Sequence, residues 1–404
     1  MGRWGALAGG VLVQLVIGGV YAWSLFARAL TQPGALALGP VEAAIPFEVA
    51  IGMIFLGASV GGRLQDRSSP RVVALVGVVL YAVGHLVASL ATGPGALAWL
   101  IAGYGVVGGF GLGMAYIVPV ALLQKWFPRH RAVVTGLAVG GFGFGATATA
   151  PVAQFLVGLT PDAPALAFRT LGLAYLVVGA LGAALLASPP AVASGPAAGE
   201  SLTVAEALRT PHWYLLTATL TVAVVAGIAL ISMMATVAVD VGGFDVGAAA
   251  GVVGVLALFN GAGRVVWAAV AQRVGPVPVL ATILVLEGAA LVVLPHARGV
   301  WLVVLAAVVY LCYGGAFGTL PSAAGATFGL AHAGAIYGLI LIGWSLAGVV
   351  GPLVGAALAG ASGYALAFGV LGAAALLGAV LPLALGRLGR PRRGPTLTSV
   401  AFER

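Results

Sequence analysis

The sequence predicts an all-α membrane protein whose twelve spanning helices form two pseudo-symmetric bundles of six. Three observations carry that prediction. The 404 residues are 61% hydrophobic and only 7% charged, against roughly 25% charged in ordinary soluble domains. Apolar runs long enough to cross a ~30 Å hydrocarbon core recur along nearly the whole chain. The second half also repeats features of the first, at an offset of about two hundred residues. The 63 glycines suit close helix–helix packing in lipid, and no long alternating strand pattern supports a β-barrel.

The elements follow in order. Arg3 precedes an apolar run to about residue 30, too long for the hydrophobic region of a signal peptide, so it reads as a retained first span. Ala6 stands where a myristoylation signal after Gly2 would place Ser or Thr. Further spans are expected at about 44–62, 72–92, 96–123, 132–158 and 164–188, then at about 212–238, 246–270, 277–294, 300–326, 333–357 and 363–386. Between the sixth and seventh lies the long hydrophilic break, with Pro189-Pro190 and Ser194-Gly195-Pro196. It reads as a flexible linker in which residues 201–208 form a short surface helix opened by a capping residue. The domains are therefore residues 1–188, an N-terminal six-helix bundle; 189–210, a cytoplasmic linker; 211–386, a C-terminal six-helix bundle; and 387–404, a basic cytoplasmic tail.

Charge orients the chain. The net charge is +8, but its basic residues sit in short loops beside apolar spans, which speaks for a membrane and against a nucleic-acid partner. Arg63, Arg67 and Arg71, then Lys125, Arg129 and Arg131, then Arg273, then Arg387, Arg390, Arg392 and Arg393 recur on one side. Glu42, Asp162, Asp240 and Asp245 lie on the other. Both termini are expected in the cytoplasm of a multi-pass inner (plasma) membrane protein, as an even span count requires. The terminal arginines anchor the tail at anionic lipid. Cys312 is the single cysteine, so neither a disulfide framework nor a thiolate metal cluster is expected. No metal or other cofactor is anticipated, and neither a Walker motif nor a Ser/His/Asp set suggests an enzyme. The chain is expected to act as a monomer.

One residue stands out physically. Arg264 lies inside an apolar span, and Arg273 at the polar flank follows about nine residues later, which at ~1.5 Å each places Arg264 roughly half-way through the membrane. A charge at that depth costs at least about 3 kcal/mol and normally faces a cavity with an anionic partner. No acidic residue lies within one turn on the same helix. A guanidinium fits a carboxylate bidentately, so a substrate anion is the candidate partner; the alternative is pairing with helix-end carbonyls or snorkelling.

The repeat has residue-level content. Asp66-Arg67-Ser68-Ser69-Pro70 answers to Gln272-Arg273-Val274-Gly275-Pro276. Gly136-Leu137 and Gly141 answer to Gly338-Leu339 and Gly343, and Pro119 to Pro321. Such a parallel repeat of six spans, with its site at the midplane, resembles the major facilitator fold. Gly62-Arg63-Leu64-Gln65-Asp66-Arg67 resembles the loop between spans two and three of those transporters, which implies that Asp66 and Arg67 form a cytoplasmic latch. The second copy has Gln272 in place of the acid, so the resemblance does not carry the latch into the C-terminal half.

Longer strings are similar to the oxalate/formate antiporter group and bacterial monocarboxylate transporters. They are Tyr21-Ala22-Trp23-Ser24, Gly113-Met114-Ala115-Tyr116-Ile117-Val118-Pro119-Val120, Lys125-Trp126-Phe127-Pro128, Asn260-Gly261-Ala262-Gly263-Arg264, Tyr313-Gly314-Gly315-Ala316-Phe317-Gly318, Tyr337-Gly338 and Gly351-Pro352. The resemblance implies secondary transport of a small carboxylate. Oxalate exchangers of this group carry a lysine in span eleven as a second cation, but two turns on from Tyr337 this chain has Trp344, and Lys125 is its single lysine. One central cation matches one carboxylate. The expected cargo is a monocarboxylate of the lactate or pyruvate type, carried with a proton; the alternative is oxalate/formate-type exchange.

The remaining candidates follow. Asn260, one turn before Arg264, is expected to bind the same ligand, since relatives that couple to protons place an acid there; the alternative is an interhelical hydrogen bond. Tyr116 and Tyr313, on equivalent spans, offer hydroxyls to the carboxylate, or else pack between helices. Leu25, Phe142 and Trp344 map to an apolar wall for the short carbon chain, with core packing as the alternative. Glu287 in span nine and Glu48 in span two are the candidate proton carriers, and His85 in span three can also titrate; the resemblance puts spans nine and three outside the central cavity, so a neutral, protein-facing Glu287 is the expected alternative. Arg28 near the outer end of span one is a gate or an interfacial anchor.

Overall fold

The computed structural model describes residues 2–32, 35–159, 164–190, 201–389 and 391, and the regular structure among them is helical. The first span is built from α1 (Arg3–Ile17), a 3-10 segment (Gly18–Ala22) and α2 (Trp23–Leu30). Then come α3 (Pro40–Arg67) and α4 (Pro70–Ala88). The fourth span joins α5 (Ala96–Leu100) through a π-helical stretch (Ile101–Gly108) to α6 (Gly109–Trp126). α7 (Arg131–Leu159) and α8 (Ala165–Leu185) complete the first half. After the short α9 (Val204–Leu208) come α10 (Pro211–Asp240), α11 (Val246–Val274), α12 (Pro276–Val293) and α13 (Val300–Phe328). α14 (Ala333–Ile340), α15 (Ile342–Gly378) and α16 (Val380–Arg387) end the chain. Proline opens α3, α4, α10 and α12, where its missing N–H would be unpaired anyway.

Among the described residues, 11 uninterrupted apolar stretches are long enough to cross a membrane, and the last, Ala333–Arg387, holds two of the expected spans. Gly363 divides them. Its φ of 82° and ψ of 170° lie in a region open essentially to glycine alone, which lets the chain turn back without a loop. The twelve-span reading therefore stands. On α8, Leu173, Val177 and Leu181 are all more than half exposed and one turn apart, a stripe suited to lipid.

The linker's short helix starts later than expected. Thr203 caps α9, taking a hydrogen bond from the Glu206 amide at 3.3 Å while the Glu206 carboxylate accepts from the Thr203 amide at 2.7 Å. Ser201 is instead buried, and its hydroxyl accepts from the Ala331 amide just before α14. Ser194-Gly195-Pro196, Asp162, Arg390, Arg392 and Arg393 lie outside the described residues, as does the side chain of Arg28.

In the first half α3 packs on α6, α4 on α8 and α1 on α7; in the second α10 packs on α15 and α11 on α13. The halves meet mainly where α7 lies along α11 and α3 along α14. Glycine permits that approach: a methyl at Gly143 would come 2.6 Å from the Gly261 Cα, so α7 and α11 touch backbone to backbone beside Arg264.

Two further contacts join the halves at the end that carries the basic loops. Asp66, at the end of α3, lies 3.3 Å from Lys125 and accepts from the Ala335 amide in the first turn of α14 at 3.0 Å. Gln272, near the end of α11, accepts from the Ala132 amide in the first turn of α7 at 3.1 Å and donates to the Arg129 carbonyl at 2.9 Å. The position without the acid thus makes the equivalent contact. Arg67 is exposed and is not part of either.

Candidate functional site

Arg264 is fully buried at mid-length of α11. Gly136 of α7 and Gly318 of α13 both lie against its carbonyl, so α11 is wedged between the halves at this level. Its Nε donates to Asn260 Oδ1 at 3.4 Å and its Nη1 to the Val139 carbonyl of α7 at 3.3 Å. Nη2 has no partner among the described residues. The guanidinium carbon lies 5.1 Å from the ring centre of Phe142 on α7 and 4.9 Å from that of Phe317 on α13, one ring from each half.

These neighbours hold the charge without neutralising it. Each hydrogen bond is long and contributes about 1 kcal/mol; each ring adds ~0.5–2 kcal/mol in a dry setting. Among the described residues the ion pair is Lys125 with Asp66, far away at the basic end. The helix-end carbonyls anticipated as the structural alternative are not the partner: Val139 lies inside α7, and a bare N–H edge is left over.

The groups around that edge are neutral: tyrosine hydroxyls, Tyr21 included, which can donate or accept, and an indole N–H, which can only donate. The Tyr116 and Tyr337 hydroxyls and the Trp344 indole N–H are all buried without a partner among the described residues. Tyr116, Phe142 and Trp344 form a triangle of rings 5.5–5.6 Å apart, and Phe317 lies 4.7 Å from Trp344. A buried donor left unsatisfied costs about 1–3 kcal/mol. Nη2 and the indole N–H can only donate and the hydroxyls beside them are uncharged, so what the cluster lacks is a negative acceptor.

Five of the seven expected ligand residues are thus brought together: Arg264, Asn260, Tyr116, Phe142 and Trp344. Asn260 turns its oxygen to Arg264, which makes it the residue that orients the guanidinium. Tyr313 is nearby but engaged, its hydroxyl 3.0 Å from that of Tyr21. Leu25 is half-buried on α2, one turn beyond Tyr21, against the same core. Sequence reasoning did not single out Tyr21, Phe317 or Tyr337 as site residues. The available signal was helical spacing: Phe317 follows Tyr313 by one turn, on the same face.

The candidate proton carriers fare differently. Glu287 on α12 is fully buried, with neither carboxyl oxygen partnered among the described residues. Glu48 is half-buried on α3. His85 is buried on α4 with Nδ1 2.9 Å from the Tyr81 carbonyl, and its ring packs on Tyr81, Tyr104 and Tyr175.

Comparison with known proteins places these features. The family model of the Major Facilitator Superfamily matches residues 16–340 and 252–402, and the chain belongs to that superfamily. It is similar to the uncharacterized MFS-type transporter YhjX of Escherichia coli, 27% identical over 356 residues and 86% of each chain. It is similar to the oxalate:formate antiporter of Oxalobacter formigenes, 25% identical over 96% of this chain and 93% of the antiporter. Bos taurus monocarboxylate transporter 13 is 33% identical over 109 residues, 27% of this chain and 25% of that one. Among solved structures, the E. coli fucose:proton symporter FucP superposes with a TM-score of 0.72 at 16% identity, over 94% of this chain and 97% of the symporter, a likeness of fold. The chain is a multi-pass membrane transporter with the two-bundle fold expected from its repeat.

Proposed function

From that membership we propose that the chain carries a small organic monocarboxylate, of the lactate or pyruvate type, together with a proton, by alternating access about Arg264. The observation that supports this is a fully buried guanidinium with an unpaired N–H edge, set among neutral groups. The carboxylate would take Nη2 as a charge-assisted hydrogen bond, with Tyr116 and Tyr337 supplying further donors. Phe142, Phe317 and Trp344 would line the short carbon chain. Where a second cation would favour a dicarboxylate, Trp344 instead fills the space.

Transport follows from the same electrostatics. Closing the protein over an unneutralised guanidinium costs more than closing it over one paired with an anion, because charge in a low-dielectric interior is costly. A bound anion lowers that cost and lets residues 1–188 and 211–386 rock about the site, joined by the 189–210 linker. Opening at the basic end, taken as cytoplasmic in an inner membrane, would separate Asp66 from Ala335 and Gln272 from Ala132.

The second reading is oxalate/formate-type exchange, favoured by the antiporter's alignment over nearly the whole chain. Proteoliposomes separate the two. Labelled lactate accumulating under an inward proton gradient is the expected result. Uptake that requires internal oxalate or formate and ignores the gradient would transfer the proposal to exchange.

A further inference from the structure

We propose that Glu287 is the residue that carries the co-transported proton, its carboxyl and the Tyr313 ring bordering one gap at Gly227 on the side of the anion site; this rests on the monocarboxylate reading above. Glu287 sits on α12, off the interface between the halves, yet its carboxyl is aimed inward. A methyl built at Gly227 of α10 would come 2.7 Å from Glu287 Oε1 and 2.7 Å from the Tyr313 ring. The missing side chain at Gly227 is thus the space in which carboxyl and phenol ring meet. Tyr313 then reaches Tyr21, hydroxyl to hydroxyl at 3.0 Å, and the Tyr21 ring lies 5.2 Å from Phe142, the ring under Arg264.

The other candidate proton carriers are placed less suitably. His85 is already bonded to a backbone carbonyl and boxed in by tyrosines of the first half. Asp66 is paired, and Glu48 is only half-buried. Glu287 alone among these is fully buried with both oxygens unpartnered. Cys312 and Tyr313 of α13 are the titratable groups that face it, the latter across Gly227. On the other helices packed against α12 the ionisable groups are His212, Tyr214 and Asp240 of α10, Asp245, Arg264 and Arg273 of α11, Tyr364 of α15 and Arg387 of α16. None of them forms an ion pair or hydrogen bond with the Glu287 carboxyl. Tyr310 of α13 is likewise unbonded.

An ionised carboxylate in that setting would be a lone buried charge, so Glu287 is protonated in the closed arrangement. Ionisation requires a conformation that hydrates it. One proton is then taken up from water on the entry side by the Glu287 carboxylate and released to water on the exit side, alongside one carboxylate anion on Arg264. The loaded carrier gains no net charge, and the two occupied sites favour the same closed state.

The test is lactate transport in proteoliposomes by wild-type, Glu287→Gln and Glu287→Asp proteins, as proton-driven accumulation and as lactate counterflow at equal pH. Glu287→Gln is expected to lose accumulation at least tenfold while keeping counterflow within about threefold of wild type. Accumulation at the wild-type level would overturn the proposal. If Glu287→Gln also lacks counterflow, Glu287→Asp decides: accumulation with a displaced pH midpoint supports the proposal, and an unmoved midpoint overturns it. A wild-type protein that ignores the proton gradient sinks the monocarboxylate–proton reading itself, a result distinct from any variant effect.

Discussion

The halves touch at two charged places, and those places treat charge in opposite ways. At the basic end the acid that joins the halves has its answer inside the protein: Asp66 meets Lys125 and the first turn of α14, while its counterpart Gln272 meets the first turn of α7 without any charge. At the centre Arg264 receives a side-chain oxygen, a carbonyl and two rings, but no anion among the described residues. A contact that only has to close and open can be met internally. A site whose complement must arrive and leave has to be left incomplete.

Five substitutions sharpen that contrast, in decreasing order of effect. Trp344→Lys places a second cation beside Arg264, and the ratio of oxalate to lactate affinity is expected to rise by about 100-fold, worth ~2.7 kcal/mol; equal affinities before and after would show that cation number does not set the cargo. Arg264→Lys keeps the charge but loses the planar fork, so competition binding should show lactate weakened about tenfold or more. Tyr116→Phe removes one unpaired donor and should raise the KM for uptake about fivefold with little change in maximal rate, in line with ~1 kcal/mol for one hydrogen bond. Asp66→Asn keeps an acceptor for the Ala335 amide and loses the partly exposed pair with Lys125, so cysteine-accessibility labelling at the basic end should shift by only two- to threefold. Gln272→Glu adds a negative charge at the first turn of α7 and should shift the same labelling oppositely, by a similar or smaller factor.

Much of this was legible in the residues, for uneven reasons. A charge in an apolar run announces itself, so Arg264 and, through one-turn spacing, Asn260 could be read directly. Length, composition and the repeat carried the twelve spans, including the pair that Gly363 separates. Aromatic residues were harder. In a chain so rich in apolar side chains, nothing local distinguishes a ring that faces Arg264 from one that faces lipid, so Phe317, Tyr337 and Tyr21 emerged only when the helices were assembled. Gln272 was underestimated for a different reason: an acceptor aimed at a helix N-terminus needs position more than charge. The cap of α9 shows the same limit on a small scale, since Ser201 and Thr203 are both capping types and only Thr203 has Glu206 three residues on.

The most direct measurement is equilibrium binding of labelled lactate to purified wild-type and Arg264→Gln proteins that elute identically as folded species. Arg264→Gln is polar but shorter and uncharged, and its affinity should fall at least 100-fold, about 2.7 kcal/mol. Undiminished binding by that variant would contradict a carboxylate held by this guanidinium.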